Sequence, residues 1–138
     1  MQKIVLDTNV IVASLISDGI PFKIINELVF GKKVKVCTSI PVYEEYIEVF
    51  NRSKFFKYSN FQEKASVFIS LLEILAEKYS PDLKLNLISD KSDNKFLELS
   101  IFANVDFLIT GNTNDFTKKH YETVKVVSHR EFWDLYHT

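Results

Sequence analysis

Apolar residues along this chain recur in two alternating patterns. Short β-branched runs, the mark of buried strands, are followed by stretches of helical periodicity. Lys3-Ile4-Val5-Leu6 is the first run, and it closes on an acid, Asp7. Helical spacing then links Val10, Ile11, Ala13, Ser14 and Leu15 until Gly19 and Pro21 interrupt it. Pro21 suits the first turn of a second helix over residues 21–30, and Gly31 suits its stop. Residues 34–38 read as the next strand. Ser39 reads as an N-cap, with Pro41 in the first turn of a helix that ends near Phe50. A basic, aromatic connection occupies residues 52–58. Asn60 and Glu63 have capping-box spacing, which predicts a long amphipathic helix through Tyr79. A short strand is expected over 85–88, a helix capped by Ser92 over 93–103, and a strand over 106–110. Residues 111–120 read as a loop and 124–127 as the last strand. Ser128 and Glu131 again have capping-box spacing, opening a final helix that runs to Tyr136.

Strands separated by helices imply βαβ units. The predicted fold class is α/β, a three-layer α/β/α arrangement around a mostly parallel sheet with right-handed crossovers. The 138 residues suit one domain, 1–138, able to bury a core without disulfide or structural zinc. The chain is 46% hydrophobic and 25% charged, with 3 Gly and 3 Pro, which excludes disordered and low-complexity classes. Its single cysteine, Cys37, rules out a disulfide within the chain and suits a reducing compartment. No apolar run approaches the ~20 residues of a membrane span. The charged opening segment does not read as a signal peptide, so a cytoplasmic protein is expected. The formal net charge of −1 argues at first sight against a nucleic-acid partner.

In open α/β sheets ligands bind beyond the carboxyl ends of the strands, and acids recur there. Asp7 ends the first strand, Asp90 and Asp93 follow the third, and Thr110, Asn112 and Asp115 follow the fourth. Ser39 follows the second. Acids gathered at one edge repel one another unless a cation offsets them, and hard cations such as Mg²⁺ take carboxylate oxygens. Each residue also has a purely structural use. Asp7 and Asp93 suit helix starts, Asp90 and Asp115 suit turns, and Glu44, Glu45 and Glu48 suit a solvated helix face. On the helical wheel Val42, Tyr43, Tyr46, Ile47, Val49 and Phe50 form the apolar stripe, flanked by Glu44 and Glu45 on opposite sides. Periodicity does not choose between those two.

Four segments in order resemble motifs of the PIN domain family, in particular its bacterial members that are VapC-like toxin components of toxin–antitoxin systems. They are Ile4-Val5-Leu6-Asp7-Thr8-Asn9-Val10, the stretch from Thr38 through Glu45 to Arg52, Asp90-Lys91-Ser92-Asp93, and Asp106-Phe107-Leu108-Ile109-Thr110-Gly111-Asn112. The resemblance covers nearly the whole chain. It implies metal-binding acids at Asp7, Glu45 and Asp93, with Glu45 preferred over Glu44 by its distance from Ser39. It implies supporting roles for Thr8, Asn9, Ser39, Asp90, Thr110 and Asn112. Where many members carry Asp after Thr-Gly, this chain has Asn112, which supplies a carbonyl oxygen without charge and puts a two-metal mechanism in question. Asp115 is the nearby residue able to compensate.

The resemblance further implies an Mg²⁺- or Mn²⁺-dependent endoribonuclease that hydrolyses phosphodiester bonds of RNA, acting through Asp7, Glu45, Asp93 and Asp115, with a cognate antitoxin as partner and a homodimer as assembly. Arg52, Lys54 and Lys57, interleaved with Phe55, Phe56 and Tyr58, are the candidate RNA contacts. Lys32, Lys33 and Lys35 read as solubilising surface, and Lys118, Lys119 and His120 as further flanking basic residues. A haloacid-dehalogenase phosphatase needs a second Asp where Asn9 stands, and a phospho-receiver domain needs paired acids at the first strand. A non-catalytic PIN module that only binds RNA or protein is the alternative from another class. An acidic pocket averaged with basic flanks reconciles the charge of −1 with an RNA substrate.

Overall fold

Among the described residues six strands form one sheet: β1 (Lys3–Leu6), β2 (Lys35–Ser39), β3 (Glu77–Tyr79), β4 (Phe107–Ile109), β5 (His120–Tyr121) and β6 (Val124–Val127). Their order is β3-β2-β1-β4-β6-β5, parallel throughout except for the β5–β6 hairpin. The structure, a computed structural model, describes residues 1–82, 91–113, 116 and 120–138, and of 91–93 the backbone only. The helices are α1 (Thr8–Ile16), α2 (Ile20–Lys23), α3 (Ile40–Phe50), α4 (Phe61–Leu75), α5 (Lys91–Ala103) and α6 (His129–Tyr136). The α/β class with a mostly parallel sheet is the one the strand–helix alternation predicts.

The order of the strands places the site. From β1 the chain moves outward to β2 and β3, then returns to the other side of β1 to lay down β4 and β6. The direction of winding therefore reverses between β1 and β4, and crevices open at such switch points. Register fixes which residues meet there. Leu6 pairs with Ile109, and Ile109 with Val127. The Asp7 amide continues the ladder by donating to the Ile109 carbonyl at 2.9 Å. Ile4 pairs with Val36, so the same register carried forward sets Asp7 level with Ser39.

Helix α5 packs against β1, β2 and β4, α6 against β4 and β6, and α3 and α4 against β2. The three strand runs Ile4–Val5–Leu6, Val36–Cys37–Thr38 and Phe107–Leu108–Ile109 are all buried, as central parallel strands require. Aromatic rings from three helices fill the space beside the sheet. Phe68 of α4 touches Phe30, Tyr46 and Phe50, and Tyr46 also meets Phe96 of α5. Cys37 is buried, and burial pushes its thiol up to about 11, as befits a small core residue.

Several local expectations change. Helix α2 does not run evenly to residue 30. It passes into a π-helical turn, Ile24–Val29, in which the Phe30 amide reaches back to the Ile25 carbonyl. Gly31 follows it, where a Cβ would lie 2.2 Å from the Glu27 carbonyl oxygen, but the residue in the left-handed region after the turn is Lys32, at φ 60°. Asn60 makes no capping bond. It sits in the left-handed region at φ 61°, which Asn tolerates better than most residues. The long helix ends at Leu75 rather than Tyr79, and residues 77–79 add an edge strand instead. Edge strands accept charged residues, and Lys3 anchors this one, donating to the Tyr79 hydroxyl at 2.8 Å and to the Ala103 carbonyl at 2.6 Å. Ser92 lies inside α5, which begins at Lys91. His120 belongs to a strand, not to the loop. The strand expected over 85–88 lies outside the described residues. Ser39 caps α3, and Ser128 and Glu131 form the expected capping box.

Phe68 is 1% exposed and joins α4 to the ring cluster. Phe68→Ala is expected to destabilise the fold by about 3–5 kcal/mol, read as a lower midpoint in urea unfolding.

Candidate active site

Asp7 occupies the turn from β1 into α1, at the switch point. It is 5% exposed. A carboxylate that deep needs donors of its own. As the N-cap of α1 it takes the Thr8 amide on Oδ1 at 2.7 Å, and Oδ2 takes the Thr110 hydroxyl at 2.7 Å. Thr110 is fully buried at the end of β4, and its Oγ1 in turn accepts the Asn112 amide at 3.1 Å. Asn9 closes the other side: its Oδ1 accepts the Gly111 amide at 3.0 Å. A Cβ on Gly111 would come within 3.3 Å of that oxygen, so glycine keeps the latch short.

Glu45 enters from α3. Its Oε2 accepts the Thr8 hydroxyl at 2.5 Å, and its Oε1 lies 3.0 Å from the Lys95 ammonium on α5. Thr8 therefore touches both acids, Asp7 through its amide and Glu45 through its hydroxyl. One residue further along α3, Tyr46 is completely buried and donates to the Leu6 carbonyl at 2.5 Å. Adjacent residues of α3 thus bond to residues 6 and 8 on either side of Asp7.

The field of the two acids is felt at Tyr46. Its phenol is held well above the ordinary range, first by burial and then by the charges of Asp7 and Glu45. On the far side of the sheet's ligand edge, His129 opens α6, and burial lowers its pKa, with the Arg130 charge adding to the effect.

The structure brings Asp7, Thr8, Glu45 and Thr110 together and holds Asn9 against Gly111. Glu44 is exposed, whereas Glu45 is half-buried and turned to Thr8. Glu44, Glu45, Glu48, Arg52 and Lys95 line an open cleft beside the acids. Ser39 is buried, and its hydroxyl accepts the Val42 amide at 3.4 Å, a capping role. Asp90, Asp115, Lys118, Lys119 and the side chain of Asp93 lie outside the described residues. Among the described residues no three His, Cys, Asp or Glu side chains are grouped to hold a metal ion. Two carboxylates are linked through Thr8, with an ammonium drawn to one of them.

The expected RNA contacts divide. Arg52 edges the cleft but makes a two-point ion pair with Glu48 at 2.8 and 3.2 Å. Lys54 and Lys57 lie over the rings of their neighbours Phe55 and Tyr58. Phe55 is core and stacks on Phe61, while Phe56 is 61% exposed. Sequence reasoning missed Lys95 and the hydroxyl of Tyr46. The signal for Tyr46 was a phenol within an apolar stripe, since a buried tyrosine hydroxyl needs an acceptor.

Comparison with known proteins adds the family. The model of the PIN domain family matches residues 3–114. The uncharacterized protein MJ1680 of Methanocaldococcus jannaschii is 27% identical over 138 residues, covering 94% of this chain and 88% of that protein. A crystal structure of VapBC2 from Rickettsia felis, bound to a DNA fragment from their promoter, superposes with a TM-score of 0.63 at 20% identity. The match covers 92% of this chain and 98% of that one.

Tyr46→Phe tests the floor of the site. Losing the donor to Leu6 is expected to cost about 1–3 kcal/mol at neutral pH. Because the folded state raises the Tyr46 pKa above 10, its contribution is complete below pH 10 and falls away as pH rises through the folded value. Urea unfolding from pH 7 to 11 is expected to show a shallower alkaline decline in the variant than in the wild type.

Proposed function

The chain belongs to the PIN domain family, and we propose that it is a metal-dependent endoribonuclease, the toxin of a toxin–antitoxin pair. The carrying observation is the convergence of Asp7 and Glu45 on Thr8 at the switch point of the sheet. The donor chemistry fits a hard divalent cation. Two carboxylates are held by Thr8 at the carboxyl end of a central strand, burial and then their charges raise the Tyr46 pKa, and a lysine ammonium is drawn to Glu45.

In this reading Asp7, Glu45 and Asp93 hold Mg²⁺ or Mn²⁺. Asp93 is assigned from its motif and lies on α5 two residues before Lys95. A bound ion would supply a more acidic water and stabilise charge on the phosphate. The chain's own residues do the rest. Thr8, Thr110 and Asn9 fix the acids and the loop after β4, so little reorganisation accompanies the chemistry. Asn112 contributes no charge, which favours a single ion, and Asp115 is the candidate to orient the attacking water. Arg52 sits where a phosphodiester strand entering the cleft would pass. Cytoplasmic location, a homodimer and an antitoxin partner complete the proposal. The homodimer and the antitoxin rest on the motif resemblance and the location on the lone cysteine and the charged opening segment, while the likeness to VapBC2 supports the fold beneath them.

Asn112 also favours a second reading, a PIN module that binds RNA or protein without cutting. A cleavage assay on single-stranded RNA with Mg²⁺ or Mn²⁺ separates the two. Asp7→Asn, Glu45→Gln and Asp93→Asn are each expected to lower metal-dependent cleavage by at least about 100-fold, the upper end for disturbing a metal site's support. A folded wild type that cuts nothing in either metal would leave the binding module.

A further inference from the structure

Lys95 reaches across from α5 to α3, and the ion pair it makes is sheltered. The Lys95 and Glu45 side chains are 28% and 17% exposed, against 48% and 60% for the Arg52–Glu48 pair on the rim. The second oxygen of Glu45 already holds the Thr8 hydroxyl. Glu45 therefore has a donor on each oxygen before any ion arrives, and one of them carries a full positive charge. Other charged groups around the ammonium are Glu44, Glu48 and Arg52 across the cleft and Glu98 one turn along α5.

Resting on the reading that Asp7 and Glu45 hold a divalent cation, we propose that Lys95 is the resident counter-ion of the site. Its ammonium neutralises Glu45 in the ion-free protein and leaves that oxygen when a divalent cation binds. Two cations repel at close range, most strongly where water is scarce, so metal binding becomes an exchange at Glu45. Removing the ammonium then has two effects of opposite sign. The ion-free protein loses stability, because a sheltered carboxylate is left uncompensated. The divalent cation binds more tightly, because it has nothing to displace. A lysine with a merely structural role would produce only the first.

The test measures Mn²⁺ binding by calorimetry without RNA, together with thermal melting in EDTA and in Mn²⁺. Wild type, Lys95→Gln, Lys95→Arg and Asp7→Asn are compared. Lys95→Gln is expected to bind Mn²⁺ roughly tenfold more tightly. It should melt lower in EDTA and gain more from added Mn²⁺ than the wild type does. Lys95→Arg, which keeps the charge, is expected to keep the wild-type affinity, and Asp7→Asn to lose binding. Unchanged or weaker Mn²⁺ affinity in Lys95→Gln, with a wild type that binds, would overturn the counter-ion role and leave the metal site standing. A wild type that binds no Mn²⁺ would overturn both. Should Lys95→Gln fail to fold, Lys95→Met keeps the alkyl stem and is read in the same way.

Discussion

Two carboxylates held at one residue are the constraint on which the rest depends. Thr8 gives its backbone amide to Asp7 and its hydroxyl to Glu45, so two like charges from distant parts of the chain are fixed at a single residue. Neither acid would tolerate this alone. Asp7 is buried, and it is stabilised by the helix N-terminus it caps and by the Thr110 hydroxyl. Glu45 is stabilised by Lys95. Beneath them Tyr46 ties α3 to the last carbonyl of β1. The bonds to residues 6 and 8 clamp the helix to the strand on both sides of Asp7, and this is what makes the acids a site rather than two neighbours.

The order of the sheet is what makes the clamp possible. A site needs donors from elements that lie next to each other but are distant in sequence. The return of the chain from β3 to β4 brings Thr110 beside Asp7, although 103 residues separate them. The Asn9–Gly111 latch repeats the connection two residues past Asp7 and one past Thr110. Gly111 is thereby tied to the start of α1, and the Asn112 amide donates to the same Thr110 hydroxyl that holds Asp7.

How much of this was legible in the sequence depended on range. Caps are local, and Ser39, Ser128 and Glu131 perform as their spacing suggests. Buried strands announce themselves by β-branched runs, and β1, β2, β4 and β6 lie where those runs are. The failures are places where a distant partner outweighed a local preference. Residues 77–79 carry charges in a helical-looking stretch, yet pairing with β2 and the bonds from Lys3 make them a strand. Asn60 has capping-box spacing but takes a left-handed turn instead. At the site, Asp7 and Glu45 could be singled out from motif resemblance, which also chose Glu45 over Glu44. Lys95 could not, because its meaning comes from a residue 50 positions away and nothing near it in the chain announces that.

The charge distribution sharpens what an RNA ligand would meet. The cleft is lined by three carboxylates, Glu44, Glu45 and Glu48, against two cations, Arg52 and Lys95, and each cation is engaged by one of those acids. Lys54 and Lys57 sit over their own aromatic neighbours. A polyanion entering such a cleft meets net negative charge, with Asp7 behind it. On the proposed reading, association of RNA with this surface would be coupled to whatever offsets the acids. A divalent cation at Glu45 would offset that negative charge and free an ammonium in one step. On the proposed reading, the formal charge of −1 averages an acidic cleft with basic residues elsewhere, and the sum by itself does not argue against a nucleic-acid partner.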